Sequence, residues 1–120
     1  MEITKEMTKE AYAASQKVYA GKMKKEDALD YLENECKMNR SSANDYIRHV
    51  KAMMDGEMYP RGNSIYGTKY LLEHIYTEHG KERLKNALSA VSQHLDYQEK
   101  IGKGRSPGIM KIHDEYLSKL

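Results

Sequence analysis

RSSANDYIRHVKAMMDGEMYPRGN, residues 40–63, decides the fold. Ala43, Tyr46, Ile47, Val50, Met53 and Met54 recur with the 3.6-residue period of a helix and share one face. Ser42 and Asp45 form an S-x-x-D pair at its front. The hydroxyl is expected to accept a backbone N–H, and the carboxylate to answer the exposed donors of the first turn. Gly56 is the expected left-handed terminator. The spacing predicts a helix over 42–55. Arg61 and Asn63 follow in a loop that contains Pro60. The stretch reads as a recognition helix with a phosphate-gripping loop, or as a core helix with well-formed ends. Both readings are open at this stage.

The same periodicity continues outward. Residues 1–7 form a polar start, expected to be flexible, before a helix over 8–20 that turns Ala11, Tyr12, Ser15, Val18 and Tyr19 inward and stops near Gly21. A helix over 24–36 carries Ala28, Leu29, Leu32 and Cys36. After the central helix, Asn63 or Ser64 caps a fourth that runs to His79 and stops at Gly80. Ile65, Thr68, Leu71, Leu72, Ile75 and Tyr76 lean inward on it. A fifth covers 81–101, with Leu84, Ala87, Leu88, Val91 and Leu95 as its stripe. GKGRSPG, residues 102–108, is the clearest breaker. Ser106 and Pro107 suit the N-cap and first position of a last helix that buries Ile109, Ile112, Tyr116 and Leu120. No period-two alternation persists anywhere. The expectation is an all-α fold: a single domain over 1–120, a compact bundle of five to six helices, with a helix-turn-helix-like pair at 24–55.

The 120 residues fit one core, burying roughly two-thirds of the unfolded surface. The net charge is only +2, so any basic surface must come from local clustering. Phe and Trp are absent while Tyr occurs ten times and Met eight, so Tyr and Met must supply the bulky core groups, unless some serve as stacking platforms for bases. Cys36 is the only cysteine, which rules out an intrachain disulfide and a multi-cysteine zinc site. No apolar run approaches the roughly 18 residues of a membrane span, and MEITKEMTKE lacks a signal-peptide core. A cytoplasmic protein with no membrane partner is expected.

Three constellations bear on function. In a helix-turn-helix, the second helix meets base edges with its first turns. Here Arg40, Ser41, Ser42, Asn44 and Asp45 occupy that end. Arg48 and Lys51 lie off the apolar stripe, within reach of phosphates. An ordinary helical hairpin would have the same pattern. Next, Arg61 between Pro60 and Gly62 sits just before a helix start at Asn63, a place where a guanidinium, free N–H groups and a dipole end can grip an anion. Third, Lys100, Lys103, Arg105 and Lys111 lie in a stretch with no acid between 100 and 112. Such a loop suits a phosphate backbone, and the plainer reading is a solvated linker. Catalytic signatures are missing. His74 and His79 are five apart, off the i, i+4 spacing of zinc ligands, and there is no H-E-x-x-H, phosphate-binding glycine loop or G-x-S-x-G. Cys36 lies on an apolar stripe and reads as a small core residue. No enzyme, metal or cofactor is expected.

The run Ser42-Ala43, Tyr46-Ile47, Met53, Gly56, Tyr59, Arg61, Asn63, then Tyr70-Leu71-Leu72-Glu73, Ile75, Gly80, Leu84, Ala87-Leu88, Val91, His94 and Tyr97 resembles a known helical module. It is similar to the N-terminal head module of McrA-like, HNH-type restriction endonucleases, over about residues 10–98. The resemblance implies an accessory, DNA-engaging head. The nuclease's own His-Asn-His pattern is absent, which puts cleavage in doubt. Arg61 and Asn63 are the positions it implies as nucleic-acid contacts; for His94 and Tyr97 it implies no role.

The leading expectation is therefore a non-catalytic module of restriction or defence systems. It would engage DNA or a nucleic-acid-bound protein complex, with a nuclease as one candidate partner. The contact residues expected are Arg40, Ser41, Asn44, Arg48, Lys51, Arg61, Asn63, Lys103 and Arg105. Two alternatives stay open: a phage-encoded inhibitor of a host nuclease, such as an anti-CRISPR protein, acting by protein–protein contact, and a homodimer with a Tyr- and Met-rich interface.

Overall fold

The computed structural model describes residues 2–120 and is all-α among them. Six helices follow in order: α1 (Lys5–Tyr19), α2 (Lys25–Asn34), α3 (Arg40–Asp55), α4 (Ile65–His79), α5 (Lys81–Lys100) and α6 (Pro107–Leu117). The chain divides into two compact units, Met1–Lys51 and Ala52–Leu120. The boundary falls inside α3, where the sequence carries no breaker. Among the described residues, no helix is long and apolar enough to cross a membrane.

In the first unit, α1 begins earlier than its apolar stripe suggests. Thr4 accepts the Met7 N–H at 3.1 Å, so residues 5–7, read as part of a flexible start, form the first helical turn. Met1 lies outside the described residues. The buried face is Thr8, Ala11, Tyr12, Ala14 and Ser15, while Val18 and Tyr19 are only half-buried. α2 packs on α1 through Ala28, Leu29 and Leu32. It stops at Asn34, two residues short of Cys36, which is half-buried beyond its end. The turn that follows has no glycine, yet Lys37 takes φ 59°. Its Nζ donates to the Asn34 carbonyl at 2.7 Å, satisfying an acceptor that the helix end leaves open. Met38 is buried just after it, a core contact with no periodic signal.

α3 starts at Arg40, not Ser42. Asn39 is its cap, with Oδ1 accepting from the backbone of Ser41 at 2.9 Å and of Ser42 at 3.2 Å. Asparagine caps at least as well as serine, and its position three residues upstream takes the place assigned to Ser42. Asn39→Ala is expected to cost about 1 kcal/mol of stability, and Ser42→Ala only a few tenths. Paired urea melts check this; equal effects would restore Ser42 as the cap. Within this unit α3 buries Ala43, Tyr46, Ile47, His49 and Val50, and the Tyr46 hydroxyl meets that of Thr8 at 3.1 Å in the core.

In the second unit, α4 and α5 pack together and α6 packs on both. Gly56, at φ 74°, ends α3, and the Glu57 N–H reaches back to the Ala52 carbonyl at 2.8 Å. Ser64 caps α4 and Ser106 caps α6, with Pro107 in the first turn as expected. The core holds Leu71, Leu72 and Ile75 of α4, Leu84, Leu88 and Val91 of α5, and Ile109, Ile112 and Tyr116 of α6. Buried Tyr12, Tyr46, Tyr59, Tyr116, Met38, Met53 and Met54 fill the role that Phe and Trp leave vacant. Two inward assignments fail. Ile65 is 54% exposed and lies across Gly108, whose missing side chain makes room for it. Leu120 is 39% exposed because α6 ends three residues earlier, at Leu117.

Candidate functional site

The helix-turn-helix-like pair does not present its expected cation. Arg40 donates to Asp30 and Glu26 at 2.9 Å and to Glu33 at 3.0 Å. These bonds, first that to Asp30, hold its guanidinium above its ordinary pKa. The sequence explains the clamp: between residues 26 and 36 there are five acids and no base. In a helix-turn-helix the first helix crosses the DNA backbone, where such a helix would repel phosphate. Ser41, Arg48 and Lys51 are exposed. Asn44 is half-buried, with its Oδ1 shut from solvent and lacking a hydrogen-bond partner.

The second unit assembles its candidates differently. α5 carries polar side chains at Arg83, Asn86, Gln93 and Gln98, off its apolar stripe, and at His94 on its buried face. They bind the backbone of the segment that leaves α3. Arg83 and Asn86 donate to the Met54 carbonyl at 2.8 and 2.9 Å, and Gln93 to that of Gly56 at 2.9 Å. Gln98 donates to the Pro60 carbonyl at 2.9 Å. The loop read as a connection is thus a strap fixed along α5, and its exit at Arg61, Gly62 and Asn63 is fixed with it. Each such bond adds about 1 kcal/mol and satisfies a carbonyl that no helix or strand would.

The strap and the basic loop then meet. Gly62, Asn63, His94, Gln98, Lys103 and Arg105 line one cleft of about 480 Å³. Ser64 and Ser106, the caps of α4 and α6, line it too, so two helices begin at its wall. Each serine takes one first-turn N–H, at Gly67 and Ile109, of the several that a helix start leaves open. Both dipoles therefore place partial positive charge at the cleft. Gly102 and Gly104, at φ 85° and 75°, let the loop double back over the end of α5. Arg105 is held by Asp96, a bond that raises its pKa, so its charge is largely neutralised. Lys103 is exposed and makes no ion pair among the described residues.

His94 is the group whose role the sequence leaves unassigned. It is 6% exposed, stacked on the Tyr59 ring at 4.5 Å between centroids, with Nδ1 2.6 Å from the Tyr59 carbonyl. A carbonyl only accepts, so Nδ1 carries the hydrogen and Nε2 holds the lone pair of the neutral ring. Burial lowers its pKa, and the bond to Tyr59 partly opposes that. Nε2 points toward Gly62: a Cβ there would lie 3.3 Å from it.

The structure thus gathers Asn63, Lys103 and Arg105 at one cleft, with Arg61 exposed two residues before Asn63. Arg40, Ser41, Asn44, Arg48 and Lys51 belong to the other unit. Sequence reading missed His94 and Gln98 as members. Their polar side chains on a helix otherwise rich in buried apolar positions were the available signal. Among the described residues, no cluster of three His, Cys, Asp or Glu could hold a metal ion. Comparisons with protein-family models, with curated proteins and with solved structures find no match to this chain.

Proposed function

We propose that this chain is a non-catalytic module that binds the phosphate backbone of nucleic acid through the cleft of its second unit. One observation carries the reading: two loops about 40 residues apart in sequence, each singled out for its basic residues, border one cleft at which two helices start. An unpaired lysine, two helix dipoles and amide donors are the groups that recur at phosphate sites. The sequence resemblance to a DNA-engaging head module points to the same class of ligand, and through it to restriction or defence.

The Arg105–Asp96 pair makes the test quantitative. Duplex DNA affinity is measured at two or more salt concentrations for wild type, Lys103→Ala and Arg105→Ala. Lys103→Ala should make the salt slope shallower by about one unit, and Arg105→Ala by clearly less, because Asp96 already neutralises that guanidinium. Wild-type binding without salt dependence would end the proposal. Exposed Ile101, Met110 and Leu117 favour a protein partner, and the nuclease-inhibitor reading would then take its place.

A further inference from the structure

We propose that His94 contacts the bound phosphate through Nε2 and takes up a proton as it does so. The inference rests on the phosphate-binding reading of the cleft and names the group that reads the anion there. Three facts lead to it. The ring is more than nine-tenths buried, so it is not a surface histidine that happens to lie nearby. Its tautomer is set by the Tyr59 carbonyl, which leaves Nε2 as the only ring atom free to meet a ligand. His94 lines the cleft, and Nε2 faces Gly62, a wall residue with no side chain. Nothing among the described residues hydrogen-bonds Nε2.

Neutral Nε2 is an acceptor and offers nothing to a phosphate oxygen. Protonated, it is a charged donor aimed into the cleft. An anion beside it stabilises the charged form, so binding must draw a proton onto the ring. The neighbouring groups set the direction. On α5, Asp96 is engaged by Arg105, and Glu99 also acts on that arginine. On the strap lie Glu57, Tyr59 and Arg61, and on the loop before α6 lie Lys103 and Arg105. The starts of α4 and α6, residues 64–66 and 106–109, bring no charged side chain. Lys103 and the two dipoles therefore disfavour the imidazolium while the cleft holds no anion, and a phosphate reverses that balance. Burial acts in the same direction, keeping the ring neutral near pH 7 in the free protein. The shared ligand chemistry is a phosphate group, supplied by an internal phosphodiester or by a strand's terminal phosphate.

The experiment measures affinity from pH 5.5 to 8 for wild type and His94→Gln, at fixed ionic strength. The probes are a blunt duplex without terminal phosphates and the same duplex 5′-phosphorylated. Wild-type affinity should rise as pH falls, approaching about tenfold per pH unit where a full proton is taken up. His94→Gln should flatten the profile. A rise confined to the phosphorylated duplex assigns the terminal phosphate, and an equal rise in both assigns the phosphodiester. In case His94→Gln unfolds, the wild-type His94 ring resonance is followed by NMR with and without inorganic phosphate. Its titration midpoint should move up with phosphate. A flat wild-type profile, a slope that survives in His94→Gln, or an unmoved midpoint overturns the inference. Salt-dependent duplex binding that needs Lys103 but ignores pH would leave the nucleic-acid reading standing. A phosphate-shifted midpoint without duplex binding would sink that reading and keep the phosphate contact.

Discussion

Leu72→Asp should leave the protein without a folded second unit at 25 °C. Leu72 is fully buried in α4, which packs on α5 and α6. A carboxylate there is buried unpaired or drags α4 out of the core. Either outcome costs several kcal/mol, against a total stability of roughly 5–15 kcal/mol. Circular dichroism at 222 nm and amide dispersion check the result. A cooperative melt within a few degrees of wild type would show that α4 does not form the core described.

Lys103→Glu should have the largest effect on binding. It removes the unpaired cation of the cleft and adds an anion where two helix starts favour negative ligands. One phosphate contact is worth about tenfold in affinity near 50 mM salt, so reversal should cost on the order of 100-fold there and much less at 300 mM. Stability should hardly change, because Lys103 is exposed and makes no ion pair among the described residues. Duplex titration at both salts, beside a thermal melt, measures it. Unchanged affinity at low salt would remove the cleft from the binding surface.

The apolar period placed all six helices, because each must bury one stripe and the sequence writes that stripe plainly. Glycine ended α3 and α4 as expected at Gly56 and Gly80, and proline opened α6 at Pro107. What periodicity does not encode is which polar group a helix end uses. Asn39 caps α3 in place of Ser42 because the helix begins three residues ahead of its first buried side chain, Ala43. Long-range polar contacts were equally hidden. The clamp on Arg40 and the strap along α5 join residues 7 to 38 positions apart, and local spacing carries no sign of them. The candidate site was legible in pieces. Arg61, Asn63, Lys103 and Arg105 stood out by composition, but their meeting depends on side-chain bonds from α5 to a backbone segment. His94 stood unassigned because a histidine beside a buried leucine reads as core until its second nitrogen is located.

Chemical-shift mapping of the isotopically labelled chain with a short duplex at low salt tests the central claim most directly. Perturbations should cluster at Asn63, Ser64, His94, Lys103 and Ser106 and should fade as salt is raised. A cluster at Ser41, Asn44 and Arg48 on α3, or no perturbation at all, would contradict phosphate binding at the cleft.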